Sequence, residues 1–169
     1  GHVGRFSEQK NHVFLLDIVR CMVERDPKVR CLLVGDGPLR KEIEAKVDKL
    51  KLNEKVIFAG VRSDVPRLMM GAMDVFLFPS NYEGLGLVLV EAQAAGLPCV
   101  FSDVIPEEAD VVPTLIKRVS LDQPSAQWAK MVIATQKAEP FQKQALKLVE
   151  QSVFNVNRSV EQLTKTYGA

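Results

Sequence analysis

Short apolar runs alternate with longer helical segments along most of this 169-residue chain, and this alternation constrains the fold more than any other feature. A first strand ends near Val3, and the later predicted strands are Val29–Val34, Val56–Ala59, Asp74–Phe78, Pro98–Phe101 and Leu115–Val119. These runs lack the regular apolar-polar alternation of half-exposed strands, which indicates a parallel sheet covered on both faces. The sequence therefore predicts a doubly wound, Rossmann-like α/β fold.

The segments between the predicted strands carry apolar residues at helical spacing. The predicted helices are Val13–Glu24, Leu39–Leu50, Pro66–Met73, one around Glu91, Ser125–Lys137, Phe141–Gln151 and Asn155–Tyr167. The last three follow the sheet, and we expect them to pack outside it or to reach toward a neighbouring unit.

Composition favours one domain over residues 1–169 and excludes several classes of function. Charge is balanced at 22 basic and 21 acidic residues, so there is no electrostatic argument for nucleic acid or an anionic membrane. We find no apolar run long enough to span a bilayer and no signal-like segment before the first strand, and we expect a cytoplasmic location. Gly1-His2 resembles a cloning remnant, and the three cysteines resemble small buried thiols rather than disulfide or zinc ligands.

Glu83 and Glu91 are the most informative pair of residues, because they bracket a glycine-rich segment that leads into an apolar run. The segment predicts a turn followed by a helix that is hydrophobic nearly all round and therefore buried. A buried Glu91 would need a specific polar partner, since an unpaired buried charge costs several kcal/mol. A ligand that carries hydroxyl groups could be that partner.

The spacing of the two glutamates also predicts a turn. On one continuous helix, residues eight apart would lie ~12 Å apart and about 80° out of phase, so they could not easily share a ligand. We therefore expect Glu83 to precede the helix and to fold back over its first turn.

Unusual residues follow four of the predicted strands. These segments are Gly4-Arg5, Gly35–Pro38, Gly60–Arg62 and Pro79–Gly86. Ligands of doubly wound sheets bind where strands end and helices begin, because helix N-termini there present unpaired N–H groups to anions.

Taken together, four motifs in this order resemble the C-terminal donor-binding domain of GT-B glycosyltransferases. They are Gly4-Arg5-Phe6 with Gln9-Lys10-Asn11, Gly35–Pro38, Phe58-Ala59-Gly60, and Pro79-Ser80 with Glu83–Gly86 and Glu91-Ala92. The chain resembles in particular the retaining enzymes of family 4, which are marked by two glutamates with seven residues between them. Within that family, Val3–His12 and Ala92–Val100 are similar to bacterial exopolysaccharide and capsule enzymes.

The resemblance implies roles for individual residues. Arg5 and Lys10, with Gly4 beside them, would hold the donor diphosphate, Glu83 would face the sugar, and Glu91 would bind the ribose hydroxyls. The remaining implied donor contacts are Gly60, Val61 and Arg62 at the base, Leu85 near the sugar, and Gly84, Gly86, Leu87 and Val88 through close backbone approach or N–H groups. No metal and no cofactor is implied beyond the substrate, a nucleoside-diphosphate sugar of which UDP-sugar is the expected form.

Other interpretations stay open for some of these residues. Arg62 is as well explained by a solvated loop charge as by a ligand, and Gly35–Pro38 fits a turn that closes a strand. His12 fits a surface residue at a helix start. Two acidic residues could also indicate a hydrolase, but nothing else in the sequence supports that chemistry.

The resemblance implies one lobe of a retaining transferase that moves a sugar to a saccharide or lipid-linked acceptor. We expect the acceptor-binding N-terminal lobe to lie outside this chain, and contact with a membrane would be expected only through that half. We expect the chain alone to bind donor weakly and to be inactive. The alternatives are a non-catalytic nucleotide-binding or scaffold module and a GT-B-related nucleotide-sugar epimerase.

Overall fold

The computed structural model describes residues 1–135 and 142–167, and their core is a set of parallel strands. The strands are β1 (His2–Val3), β2 (Cys31–Val34), β3 (Val56–Gly60), β4 (Phe76–Phe78), β5 (Cys99–Ser102) and β6 (Ile116–Val119). They form two three-stranded sheets, β1-β2-β3 and β4-β5-β6, in which every strand pairing is parallel. The predicted α/β fold is confirmed.

The two sheets meet where β1 lies beside β4. The amide of Leu77 donates a hydrogen bond to the carbonyl oxygen of Gly1 at 2.9 Å, which joins the start of β1 to β4. The resulting order is 3-2-1-4-5-6, the order of doubly wound dinucleotide-binding folds. In such folds the ligand binds beyond the carboxyl ends of the strands where the order reverses, here between β1 and β4. We call this place the switch-point crevice.

Helices cover both faces of the strands. They are α1 (His12–Arg25), α2 (Arg40–Lys49), α3 (Val65–Ala72), α4 (Leu87–Ala94), α5 (Ser125–Ile133), α6 (Gln142–Glu150) and α7 (Val156–Tyr167). Each predicted helix is present with shifted ends. Helix α5 ends at Ile133, so its predicted continuation is wrong for Ala134 and Thr135, while the predicted residues 136–137 and the predicted start of α6 at Phe141 lie outside the described residues.

Two apolar clusters hold these layers together. The first contains Leu16, Leu33 and Trp128, and α1 packs against α5 there. The second contains Phe76, Phe78, Leu89 and Phe101, and α4 packs against α6 beside it. The loops that leave β1 and β4 are thus anchored on well-packed strands.

The predicted burial of Glu91 is wrong, because its side chain is exposed. Helix α4 buries Leu89, Val90, Ala92 and Gln93. Glu91 lies one turn after Leu87, which is 58% exposed, so the two residues share the open face of the helix. Apolar residues occupy nearly every face of α4, but only some of these faces are buried, because other elements pack against part of its circumference.

The two histidines lie inside the fold, contrary to the surface position expected for His12. His12 is 1% exposed at the first turn of α1. Its ring packs edge-on against that of His2, with 4.7 Å between the ring centroids. His2 is fully buried in β1, so it belongs to the sheet, while its origin as a cloning remnant stays a prediction.

In the part of the chain that the structure describes, no helix has both the length and the apolar character needed to cross a bilayer.

Candidate active site

An ion pair joins the two loops that border the switch-point crevice. Lys10 lies in a single 3₁₀ turn, Glu8–Lys10, after β1, and Glu83 lies in the loop between β4 and α4. The Lys10 Nζ donates to Glu83 Oε1 at 2.6 Å. The lysine side chain is 13% exposed and that of the glutamate 6%, so the pair is largely shielded from water. Shielding strengthens the attraction between the charges.

Both partners of the ion pair have further contacts. The Nε2 of Gln9 donates to the second oxygen of Glu83 and to the carbonyl oxygen of Tyr82, each at 3.2 Å. The ammonium of Lys10 lies 4.6 Å from the centroid of the Phe78 ring, a favourable cation–π distance. The carboxylate of Glu83 is therefore held through both oxygens before any ligand binds.

Asn81 fastens the same two loops a second time. Its backbone amide donates to the carbonyl oxygen of Gln9, and its side-chain Nδ2 donates to that of Glu8, both at 2.8 Å. Asn81 thus binds the 3₁₀ turn to the loop after β4 without contacting the carboxylate of Glu83.

Three glycines bring the loop backbones after β1, β2 and β3 together. The amide of Gly4 donates to Val34 O at 3.0 Å, and that of Gly35 donates to Gly60 O at 2.8 Å. Gly35 has a φ of +130°, and a methyl group on its Cα would lie 2.1 Å from Gly4 O. Gly4 itself is packed against Lys10, since a methyl group there would lie 3.2 Å from Lys10 Cε.

The start of α4 provides N–H groups beside Glu83. Gly86, at the N-cap, has a φ of +70°, which confirms the predicted turn before the helix. The amides of Leu87 and Val88 belong to the first turn of the helix, whose N–H groups have no partner within the helix. Leu85 is 36% exposed beside them. Glu83 precedes the helix as predicted, but its carboxylate turns toward Lys10.

Other predicted contact residues are at the surface. Arg5 is exposed, and no hydrogen bond or ion pair of its guanidinium is present within residues 1–135 and 142–167. Val61 is 81% exposed. Arg62 forms a bidentate ion pair with Asp64 at 2.8 and 2.9 Å, and this hydrogen bonding lowers the pKa of the Asp64 carboxyl.

The structure therefore brings together only some of the predicted residues. Gly4, Lys10, Glu83 and Gly86 are in mutual contact or separated by one neighbour. Gly84 opens onto empty space, as a residue beside a binding groove would. Glu91, Val61 and Arg62 lie at the exposed margins and do not contact the ion pair.

Gln9, Phe78 and Asn81 contact the predicted site residues or their loops, although no sequence pattern predicted a role for them. Each belongs to a loop or strand end that the parallel topology places at the crevice. This position at or after the end of a predicted strand is the one sequence feature that could have identified them. The partners that they contact lie about 70 residues away in the chain, as between Gln9 and Glu83 with a separation of 74. No local pattern identifies such partners.

Two buried rings lie directly beneath the site. The Nδ1 of His2 lies 2.9 Å from Leu77 O, and because a carbonyl only accepts, Nδ1 carries the proton. Burial lowers the pKa of His12 to about 4 and that of His2 well below its usual value, and the nearby charge of Lys10 adds to both effects. Both rings are neutral near pH 7.

A cavity lies away from the predicted site residues, and the described part of the chain holds no metal-binding cluster. A cavity of about 580 Å³ lies at the opposite edge of the sheet, where Met22, Arg30 and Ile57 line it, and none of the predicted site residues borders it. Among the described residues there is no group of three or more histidine, cysteine, aspartate or glutamate side chains able to hold a metal. The crevice instead presents the ammonium of Lys10, held by Glu83, and the N–H groups at the start of α4.

Comparison with known proteins places the chain in a family. The model of the family "Glycosyl transferases group 1" matches residues 1–156. EpsF of Bacillus subtilis (strain 168), which carries the name of a glycosyltransferase, is 46% identical over 132 residues, or 78% of this chain and 34% of EpsF. An Escherichia coli UDP-Gal:alpha-D-GlcNAc-diphosphoundecaprenol alpha-1,3-galactosyltransferase is 33% identical over 105 residues, or 60% of this chain and 27% of that enzyme.

Solved structures agree with this assignment. Anabaena Alr3699/HepE in complex with UDP has a TM-score of 0.80 and 26% identity, and the match covers 98% of this chain and 48% of HepE. HepE has also been solved with UDP-glucose, with a TM-score of 0.77. TarM has a TM-score of 0.85 at 17% identity and covers the whole chain, which shows a shared fold.

The chain spans about a third of the length of EpsF and about half that of HepE. The order of its strands, its GT-B lobe architecture and the family match over residues 1–156 agree with each other. The chain belongs to the glycosyl transferases group 1 family.

Proposed function

We propose that this chain is the donor-binding lobe of a retaining glycosyltransferase that uses a nucleoside-diphosphate sugar, with UDP-sugar as the donor. The observation that carries the proposal is the position of Lys10. It lies at the switch-point crevice, shielded from water, and contacts Glu83, which in turn lies beside the N-cap Gly86 of α4. Exposed Arg5 precedes the 3₁₀ turn that carries Lys10. A cation beside free N–H groups at a helix start is a suitable site for a diphosphate.

The chemistry of transfer requires stabilisation of the leaving group. The bond between the anomeric carbon and the distal phosphate oxygen breaks, and its electron pair stays on that oxygen. A bond from the acceptor oxygen to the anomeric carbon forms, and the proton of the acceptor hydroxyl passes to the departing diphosphate. Negative charge accumulates on the departing diphosphate. Arg5 and Lys10 would stabilise that charge, with the N–H groups of Leu87 and Val88 as further donors.

Other residues would hold the rest of the donor. Glu83 would contact the sugar next to the distal phosphate, with Leu85 beside it. Exposed Glu91 would accept hydrogen bonds from the ribose, and its exposure leaves it accessible to a ligand. Gly60, Val61 and Arg62 would border the base. The resemblance implies these roles, and the exposure of Glu91, Val61 and Arg62 leaves their side chains accessible to a ligand.

The names of related proteins support a role in cell-surface polysaccharide synthesis. One relative, 38% identical over 100 residues, is a Vi polysaccharide biosynthesis protein of Salmonella typhi, and the galactosyltransferase of Escherichia coli acts on a lipid-linked saccharide by its name. We propose a saccharide or lipid-linked acceptor bound by a second lobe. This chain alone would bind donor without transferring its sugar.

Calorimetric titration with UDP tests the proposal. We expect saturable binding that Arg5→Ala and Lys10→Ala each weaken, because each removes a charge opposite the diphosphate. Arg25→Ala is the matched control, since Arg25 is an exposed arginine at the far end of α1. Absence of binding at millimolar UDP, or equal losses in all three variants, would favour the non-catalytic scaffold.

A further inference from the structure

The ion pair of Lys10 and Glu83 neutralises much of the charge that the proposed site would offer to a diphosphate. Lys10 is in direct contact with a carboxylate at 2.6 Å, and the pair is nearly inaccessible to water. A phosphate that approaches Lys10 therefore also approaches the negative charge of Glu83. In a shielded site the repulsion between two anions is strong.

The carboxylate of Glu83 cannot easily turn away from an incoming phosphate. One oxygen accepts from Lys10 and the other from Gln9. Gln9 Nε2 must face both Glu83 Oε2 and Tyr82 O, because both oxygens only accept. The orientation of the Gln9 amide is thus fixed by its partners, and it holds the glutamate in place.

The two nucleotide species that such a site meets differ in charge at the phosphate next to the sugar. In a nucleotide sugar that phosphate is doubly esterified and carries one negative charge. In free nucleoside diphosphate it is terminal, and with a second pKa near 6 it carries roughly −2 at pH 7.5. A fixed carboxylate beside this phosphate disfavours the free diphosphate more than the sugar-bearing donor.

We propose that Glu83, held by Gln9, is a specificity-determining residue that makes the site prefer a nucleoside-diphosphate sugar over the free diphosphate left after transfer. This inference rests on the proposed function, since it places the distal phosphate between Lys10 and Glu83. It adds to that function a means of product release. Once the sugar has been transferred, the extra negative charge on the free diphosphate is repelled by the carboxylate of Glu83, which favours dissociation of the diphosphate.

A pair of probes isolates this charge effect without knowledge of the donor sugar. The first is UDP, and the second is its methyl ester on the distal phosphate, which has the charge of a nucleotide sugar but no sugar. The ester preference is the Kd of UDP divided by the Kd of the ester, measured by calorimetry at pH 7.5. Glu83→Gln should lower the ester preference about tenfold relative to wild type, through a gain in UDP affinity, as expected for the removal of one nearby charge.

Asn81→Ala is the matched control, because Asn81 joins the same two loops without contacting Glu83 or Lys10. It should leave the ester preference within about twofold of wild type, while both affinities fall together if the loops loosen. An equal change in Asn81→Ala and Glu83→Gln would show an effect of loop packing and would overturn the proposal.

A second variant covers the case in which Glu83→Gln fails to fold with Lys10 unpaired. Gln9→Met keeps both charges but removes a donor that holds the carboxylate, so it should lower the ester preference in the same direction by a smaller factor. An ester preference equal to that of wild type in the folded variants overturns the inference alone. Failure of the wild-type chain to bind either probe overturns the proposed function as well.

Discussion

The ammonium of Lys10 lies 2.6 Å from the carboxylate of Glu83, although the two residues are 73 positions apart in the chain. The contact joins the loop after β1 to the loop after β4 at the place where the strand order reverses. The ion pair thus holds the two loops together and also belongs to the proposed donor site.

Removal of one member of this pair should destabilise the chain. Lys10→Met leaves the carboxylate of Glu83 without its counter-ion and should lower the free energy of unfolding by about 3 kcal/mol, as is typical for half of a buried pair. The double variant Lys10→Met/Glu83→Gln should lose less than the sum of the two single variants. Urea unfolding measures all three.

The surface pair of Arg20 and Glu24 is the control for this prediction. Its side chains are 48% and 63% exposed, so Arg20→Met should cost less than about 0.5 kcal/mol. Additive losses in the Lys10 and Glu83 double variant would contradict a coupled pair.

Gly35 should tolerate no side chain. Its φ of +130° disfavours any other residue, and a methyl group would lie 2.1 Å from the carbonyl oxygen of Gly4. Gly35→Ala should lower the free energy of unfolding by at least about 3 kcal/mol, because the loops after β1 and β2 must separate. Gly84→Ala, where no atom lies within 4 Å, should change it by less than about 0.5 kcal/mol. Similar thermal midpoints for the two variants would refute the close approach.

Gln93 should be a main polar anchor of the loop after β5. Its side chain is fully buried, donates to Leu89 O and Ala109 O, and accepts from the amides of Val111 and Val112. Gln93→Leu leaves the buried amide of Val112 without its partner and removes one of the two acceptors of the Val111 amide, so it should cost about 2–4 kcal/mol. Exposed Gln127→Leu on α5 is the control. An equally small loss in both, measured by chemical denaturation, would show that water replaces the amide.

Stability should fall between pH 6.5 and 5 because of the two buried histidines. The pKa of His12 is lowered to about 4 in the fold, and that of His2 is also lowered, while unfolded histidines titrate near 6.5. Over this range the unfolded chain binds more protons, so the free energy of unfolding decreases as pH falls. The stability is fully present above pH 6.5 and is lost as pH falls toward the folded-state values.

Urea unfolding at pH 7.5, 6.5, 5.8 and 5.0 tests this dependence. His12→Leu should reduce the slope, because one of the two buried rings no longer titrates. A free energy of unfolding that stays level from pH 6.5 to 5.0 in the wild-type chain would contradict neutral, buried rings.

The sequence predicted the elements of the fold well because apolar spacing and glycine or proline boundaries are local signals. The strand observed at Cys99–Ser102, for example, was expected at Pro98–Phe101. The turn before α4 was also predictable, since Gly86 occupies the position that needs a positive φ. The strand order was not, because it depends on which edges meet in space.

The errors have one physical source. Glu91 and His12 were judged by their neighbours in the chain, but burial depends on neighbours in the fold. The open face of α4 exposes Glu91, while β1 and Phe6 enclose His12. The contact between Lys10 and Glu83, which no local pattern shows, therefore supports a nucleotide site in place of a buried Glu91.

An NMR titration of the ¹⁵N-labelled chain with UDP tests whether a diphosphate binds at the crevice between β1 and β4. We predict that the largest amide shifts occur in residues 4–10 and 83–88, with a saturable dependence on UDP. Shifts confined to the cavity beside Met22 and Ile57, or no shifts at millimolar UDP, would show that no diphosphate binds at the crevice.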